Sequence, residues 1–436
     1  IIKISNMNIE SKITKEELTK PSQPEKKEGG AMIESRENFD AFEHRPDNFR
    51  EITREKWEDW QWQQKNALRN SQQLKEVFPN IPEKQLLLAQ EWEHRGFRFQ
   101  LTPYMQAITE RDSEGNPLLT DPVWRQFFPA FDELLAKQEQ QAIDEYSLDR
   151  ENWEIAEEML TPIAHHKYDN RAILYTTDVC LGYCDYCLRS LQSKAKEETH
   201  GGKAYWQQTM EAIRSHPEIE EIILSGGDPL IYDNATIEKM LKDIREIPSV
   251  KAIRIHTRAF THNPYRIDKE FGKLLKKYAV TEVAVHTTHP NELTKDFQES
   301  IDRVRESKAR TLLLAQIPLV KGVNDDAELL HRFFMELYAS GVKPYYFLHS
   351  MPNIPAAASQ RTSVKRGLEL MNQLGRKISH PAMPEYIIVH QTGKRTVPIE
   401  PEGTPEFRYE TDQDGHPIIR FKNWKGNWET YIDGKD

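Results

Sequence analysis

The chain is 436 residues long with a net charge of −10, and 10% of it is aromatic and 29% charged. That length suits about two to three structural units, one of which can be a single large α/β barrel, and the aromatic content excludes a disordered chain. The acidic balance argues against nucleic acid and for a small substrate, no apolar run approaches the roughly 18 residues that cross a bilayer, and the start lacks the apolar core of a secretory signal, so the cytoplasm is the expected location.

Residues 1–38 hold no aromatic side chain and carry runs such as PSQPEKK, too little apolar surface to offset ordering entropy. A mobile tail is expected over 1–47. Trp57, Trp60, Leu68, Leu74 and Val77 then recur at roughly helical spacing before Pro79 and Pro82 punctuate the pattern, which predicts a helical region over 48–164. Between Arg171 and His349 short β-rich runs alternate with amphipathic windows. The runs are AILYTT (172–177), EIILS (221–225), KAIRIHT (251–257), EVAVHT (282–287), RTLLLAQI (310–317) and KPYYFLH (343–349). Helical stretches such as ATIEKMLKDIREI and DKEFGKLLKKY lie between them. Six strand–helix units predict parallel βαβ winding with right-handed crossovers. The expected fold class is therefore α/β, a partial (β/α)6 barrel over 165–380. A last segment, 381–436, is expected to add a strand and a covering lid.

The only three cysteines, Cys180, Cys184 and Cys187, follow directly on the first predicted strand. They cannot be a disulfide framework, which needs an even count spread over the fold. In such barrels the loops leaving the C-terminal ends of strands carry the chemistry. Three thiolates hold three irons of a 4Fe-4S cluster and leave the fourth open to a substrate or cofactor. The alternatives are a zinc site, which would need a fourth ligand, and incidental buried thiols. At the end of the second strand, SGGDPL (225–230) offers two glycines that let the backbone approach a ligand and Asp228 to accept from an ammonium, although Gly-Gly-Asp alone is ordinary turn chemistry.

CLGYCDYC, with Tyr186 just before the third cysteine, resembles the radical S-adenosyl-L-methionine (SAM) pattern. In that family SAM chelates the open iron and its reductive cleavage yields a 5'-deoxyadenosyl radical. The segment Ser225, Gly226, Gly227 and Asp228 is then similar to the one that holds the SAM amino group. The likeness goes further, to the lysine 2,3-aminomutase family, whose members use SAM and pyridoxal 5'-phosphate (PLP) together. WEDWQWQQKNALRNSQQLKEVFPNI, FQLTPYMQAI, EEIILSGGDPL, VKAIRIHTR, HTTHPNELT, PLVKGVND and KPYYFLH follow in the family's order, from about Asn48 to Asp433.

This resemblance implies an isomerase that moves an amino group from Cα to Cβ of an L-α-amino acid. It implies that Lys394, in the predicted loop QTGKR, binds PLP covalently, with Gly393 allowing the bend. Lys167, Tyr168 and Arg171 match a segment near PLP, Lys167 replacing an arginine and so losing a bidentate fork. Tyr345 and Tyr346 match aromatics near PLP, with barrel packing as the plainer reading. Arg189 matches the arginine that holds the substrate carboxylate, and His286, Gln316 and Ser225 match positions around SAM. His289, Pro290, Asn291 and Glu292 belong to a family segment without an assigned role.

Two places depart from the family. Lysine-specific members hold the distal ammonium of the substrate with two aspartates. The corresponding positions here are Met351, or its neighbours Pro352 and Asn353, and Val389 or His390. A buried ammonium without a counter-charge is costly, so the expected substrate is uncharged, apolar, or one that His390 and Asn353 can hydrogen-bond. Lysine is the runner-up. Some members also carry cysteines in a C-terminal zinc-binding tail; no cysteine follows Cys187, and no structural zinc is expected. A flavodoxin- or ferredoxin-like electron donor and a homo-oligomer complete the implied partners. The competing readings are a radical SAM enzyme without PLP chemistry and a non-catalytic iron–sulfur module.

Overall fold

Aromatic side chains organise the N-terminal region. Helices α1 (Arg54–Trp57), α2 (Trp60–Lys65), α3 (Ser71–Val77), α4 (Glu83–His94) and α5 (Pro103–Ile108) gather around the inaccessible side chains of Trp57, Tyr104, Trp124 and Phe127. Thr53, Asp59, Asn70 and Thr102 each accept a backbone N–H at a helix start. The structure, a computed structural model, describes residues 35–94, 96, 98–128, 154–187, 189, 204–352, 354, 360–375, 377–398, 406–423 and 425–434. Most of the expected tail, residues 1–34, lies outside them. Its last part does not behave as a tail: Ala41 is fully buried and its N–H donates to Asp296 at 3.1 Å, while Asp40 pairs with Arg54 and Lys295. The boundary at 47 is thus too late, because Phe39, Asp40 and Phe42 find apolar and ionic partners that composition alone does not reveal.

The β-rich runs form one ten-stranded sheet in sequential order. Its strands are β1 (Met159–Thr161), β2 (Ala164–Tyr168), β3 (Arg171–Tyr175), β4 (Glu221–Ser225), β5 (Ala252–Thr257), β6 (Glu282–His286), β7 (Leu312–Leu319), β8 (Lys343–His349), β9 (Glu385–His390) and β10 (Gly393–Thr396). Neighbours from β3 to β9 pair in parallel, so a seventh parallel strand follows the six expected. Both ends are antiparallel, through the β1–β2–β3 meander and the β9–β10 hairpin. These ends face each other. Lys167 Nζ on β2 donates to the Gln391 carbonyl, and Lys394 N–H on β10 donates to the Tyr168 hydroxyl at 2.8 Å. Side-chain hydrogen bonds thereby bridge the seam of an α/β partial barrel.

Outside the sheet lie α6 (Trp206–Arg214), α7 (Asn234–Arg245), α8 (Ala259–His262), α9 (Lys269–Lys277), α10 (Lys295–Glu306), α11 (Ala327–Ala339) and α12 (Val364–Leu374). Asp233, Asp268, Thr294, Asp326 and Ser363 cap α7, α9, α10, α11 and α12, which tells the chain where each crossover turns back. Their apolar stripes, with Phe271, Phe297, Phe333 and Leu370 fully buried, fill the core against the sheet at about 1.5–3 kcal/mol per large side chain. The N-terminal region is tied to this layer: Trp57 Nε1 donates to the Tyr265 hydroxyl, which donates to Asp296, both at 2.8 Å. Strands β11 (Phe407–Thr411), β12 (Pro417–Lys422) and β13 (Trp428–Ile432) form a separate antiparallel sheet. It docks beside the end of β8, where the Tyr431 hydroxyl meets His349 Nδ1 at 2.6 Å and the Asp433 carboxylate accepts from Val364 N–H.

Candidate active site

The C-terminal ends of the strands open into a cavity of about 1050 Å³. Cys180, Cys184 and Cys187 line it, on the loop that leaves β3. That loop is braced from several elements: Gln100 donates to the Leu181 carbonyl at 3.0 Å, Asp185 N–H to the Gln126 carbonyl at 2.9 Å, and Gln360 to the Asp185 carboxylate at 2.8 Å. Burial, with the Cys187 thiol, Asp228 and the Cys184 thiol nearby, pushes the Cys180 thiol up from its ordinary value. Arg258 donates to Cys184 Sγ at 3.2 Å and is held by Glu292 at 2.6 Å and Gln126 at 3.0 Å. Tyr186 joins the same network, its hydroxyl 2.7 Å from that of Thr288.

The Gly-Gly-Asp turn after β4 is built to touch this loop. Gly226 has φ +120°, and a Cβ on Gly226 or Gly227 would overlap the carbonyl of Thr177 or Val179. The turn's N–H groups at 227 and 228 donate to those same two carbonyls. Asp228 lines the cavity, but its carboxylate is already engaged by the Thr257 hydroxyl at 2.8 Å and by the N–H groups of Arg258 and Leu230 at 2.7 and 2.9 Å. Burial raises it to about 6. Its visible work is to fix the start of the segment that carries Arg258. Ser225, His286 and Gln316 line the cavity next to the turn, His286 and Gln316 side by side in register on β6 and β7. His286 Nε2, Gln316 Nε2 and His256 Nε2 on β5 are buried without a protein partner, and burial lowers His286 to about 3, so it is neutral. Three buried polar atoms without a protein partner, on residues that line one cavity, are unusual in a folded core.

A second set of cations lines the cavity from β2, β3 and β10. Lys394 stands on β10, one residue past the hairpin turn, and not in a loop; the N–H groups of this short polar run pair with β9. Gly393 has φ +139°, the bend expected of it. The lysine is accessible from the cavity yet enclosed by protein beyond it. Burial, with the Arg254 and Arg171 charges, lowers its amine to about 7, a shift that water in the cavity moderates. Its Nζ lies 4.5 Å from the centre of the Tyr346 ring, and the Tyr345 hydroxyl donates to that of Tyr346 at 2.7 Å. Tyr346 lines the cavity. Tyr345 does not, and reaches it through that hydrogen bond and by stacking on the Tyr346 ring at 3.8 Å. Lys167 and Tyr168 belong to β2 and Arg171 opens β3, so the group stands on a hairpin. Burial lowers Lys167 to about 8. Arg189 packs 3.8 Å above the Tyr175 ring, with Glu154 at 3.9 Å.

Residues 174–334 match the Radical SAM superfamily. A putative L-lysine 2,3-aminomutase of Aquifex aeolicus (strain VF5) is 30% identical over 83% of this chain and 90% of that one. The chain belongs to the lysine 2,3-aminomutase family. A glutamate 2,3-aminomutase of Clostridioides difficile (strain 630) is 29% identical over 86% of this chain and 82% of its own, and an L-lysine 2,3-aminomutase of Escherichia coli (strain K12) 29% over 80% and 94%. A radical SAM aminomutase, and hence an isomerase, is what these likenesses support; the family implies a 4Fe-4S cluster and SAM. The cavity fits both groups: three cysteines on one braced loop, a glycine turn at its flank and the orphaned nitrogens of His256, His286 and Gln316. It fits PLP as well, through a lysine of lowered basicity among Lys167, Arg171 and Arg189. No helix among the described residues is long and apolar enough to cross a membrane.

Of the five positions expected around the substrate side chain, Met351, Val389 and His390 line the cavity, Pro352 does not, and Asn353 lies outside the described residues. Burial lowers His390 to about 4, and its Nδ1 sits 2.9 Å from the Thr392 hydroxyl, so it contributes no charge. Among the lining residues that the sequence did not single out are Glu154, Arg254, His256 and Arg258. The last three alternate with Ile253, Ile255 and Thr257, a period of two that puts all three on the cavity face of β5 and its end, and Arg254 is held there by Glu221 and Glu282 at 2.9 and 2.8 Å. Polar residues at every second place of a buried strand were the available signal. Glu292, to which no role was assigned, proves to be the counter-ion of Arg258.

Proposed function

We propose that the chain is a PLP-dependent radical SAM 2,3-aminomutase that converts an L-α-amino acid into the β-amino acid, and that lysine is not its preferred substrate. The observation that carries this reading is that Lys394 opens into the same cavity as Cys180, Cys184 and Cys187. When bound, the cluster with SAM supplies a hydrogen-abstracting radical, and PLP supplies the covalent handle on the amine. The protein's part is placement. Arg189, with its fork of donors, holds the substrate carboxylate. Lys167 and Arg171 supply positive charge for a phosphate, and Lys394, its basicity lowered toward 7, would supply the amine that tethers PLP. Cys180, Cys184 and Cys187 hold the cluster. Gly226 and Gly227 let the turn pack on the cysteine loop beside the SAM amino acid moiety, which Ser225, Tyr186, His286 and Gln316 would border.

The preference against lysine rests on where the carboxylates of the cavity stand. Asp178, Asp185 and Asp228 belong to the cysteine loop and the turn beside it, Asp169 sits on the β2–β3 turn, and Glu154 accompanies Arg189. None replaces the aspartates of lysine-specific relatives at Met351, Val389 or His390. An ammonium buried there would lack a counter-charge, at a cost of several kcal/mol, about 10²-fold or more in selectivity. The reading also includes a small flavodoxin- or ferredoxin-like electron donor and a homo-oligomer.

The test is anaerobic reconstitution with iron, sulfide, PLP and SAM. The protein should show the absorbance of lysine-bound PLP, lost in Lys394→Ala, and should form a β-amino acid detectable by mass spectrometry. SAM cleavage without that absorbance would favour a radical SAM enzyme free of PLP chemistry, and absence of SAM cleavage a non-catalytic module.

A further inference from the structure

Between the cysteine loop and Lys394 the cavity wall is a separate apolar cluster. Met351, Ile354, Ile387 and Val389 are at most 8% exposed and pack together, with Tyr186, Tyr346 and Leu348 against them. All seven side chains line the cavity. They form a group distinct from the main barrel core.

Its position relative to the chemistry follows from strand register. Val389 is the direct cross-strand partner of Lys394, so the two side chains stand on the same face of the β9–β10 hairpin. Ile387 lies two residues along the same face and pairs with Leu348 on β8. At the far side the patch reaches Tyr186, the residue before Cys187, and at the near side Tyr346, over whose ring the Lys394 amine lies. An amino acid tethered near Lys394, with its carboxylate drawn to Arg189 and its β-carbon turned toward the cysteine loop, has this patch as the surface next to its side chain.

We infer that Met351, Ile354, Ile387 and Val389 form the side-chain subsite, and that the substrate is an L-α-amino acid with a large apolar side chain, of the leucine or phenylalanine class. The inference rests on the aminomutase reading above and narrows it. An apolar wall gains free energy from each buried methylene and offers nothing to an ammonium, a guanidinium or a carboxylate, whose desolvation would go uncompensated. His390, which also lines the cavity, is neutral and adds no charge.

The test uses the anaerobically reconstituted full-length protein with PLP, SAM and a reductant, and compares leucine, phenylalanine, lysine, arginine and glutamate. Leucine or phenylalanine should be converted to its β-isomer with kcat/KM at least about 100-fold above that of the three charged amino acids. Met351→Asp should lower apolar turnover about tenfold or more and raise that of lysine. Val389→Ala, a milder change with the PLP absorbance as its check on folding, should raise the KM for leucine about tenfold through lost contact. If lysine, arginine or glutamate is the best substrate, the inference falls while the aminomutase reading stands. If none of the five yields a β-amino acid although SAM is cleaved, the inference falls, and the aminomutase reading falls with it where the absorbance of lysine-bound PLP is also missing.

Discussion

The two ends of the cavity are built by different means. At the cysteine end, a short stretch of chain carries the chemistry: Cys180, Cys184 and Cys187 lie on one loop, and a single glycine turn leans on it through backbone hydrogen bonds. At the lysine end, Lys167, Arg171, Arg189, Tyr346, Val389 and Lys394 come from five strands and a loop, and meet only because the sheet curls until β2 faces β10. A site made of contiguous residues tolerates little change in its own loop. One made of dispersed residues depends on the whole barrel and is the part free to vary in specificity.

Four substitutions and a pH series sharpen that contrast, beginning with the largest expected effect. Lys394→Ala should abolish β-amino acid formation by about 10³-fold or more and remove the absorbance of bound PLP, while reductive SAM cleavage survives. Gly227→Ala tests the opposite end: its Cβ would run into the Val179 carbonyl, so the cysteine loop must shift. Cluster content, read by iron analysis, and SAM cleavage should both fall, by about 10²-fold for the latter, with PLP absorbance retained. Arg189→Lys keeps a charge but loses the fork, and should raise the substrate KM about 10- to 100-fold in steady-state assays.

How much of this was legible beforehand follows the same division. Cys180 to Cys187 are contiguous, so residue types and spacing alone pointed to a cluster, whereas Ser225 to Asp228 read as an ordinary turn that only the family resemblance marked. The six parallel strands were equally plain, since buried β-branched runs such as EIILS recur between capped amphipathic helices. Lys394 and Arg189 drew attention only through resemblance to a family, because a lone lysine after glycine or a lone arginine after cysteine has no local signature. The β1–β2–β3 meander, the seam across Lys167 and Tyr168 and the Arg258–Glu292 pair depend on contacts far apart in the chain, and no local pattern encodes them. The apolar patch needed the register of β9 on β10 before Val389 was seen to be the neighbour of Lys394.

The remaining expectations are smaller. Because the Lys394 amine is lowered to about 7 by burial and nearby cations, its neutral, nucleophilic form should dominate above that pH and the ammonium below it. The rate at which added PLP becomes attached should rise through about pH 7, whereas an unperturbed lysine would keep it rising toward pH 10, as a stopped-flow absorbance series will tell. Tyr265→Phe removes the hydroxyl between Trp57 and Asp296 and leaves both without that partner. It should cost about 1–3 kcal/mol of stability in denaturant titrations, loosening the N-terminal region with little change in the substrate preference of either end.

The central claim is that the cysteine end and the lysine end act on one amino acid. It is tested most directly by following deuterium from the β-carbon of whichever amino acid is best converted. The wild-type protein should carry that deuterium into SAM or 5'-deoxyadenosine, detected by mass spectrometry, and Lys394→Ala should cleave SAM with no deuterium transferred. Equal transfer in the variant would mean that the cysteine end reaches its substrate without the lysine, and would contradict the two-ended site.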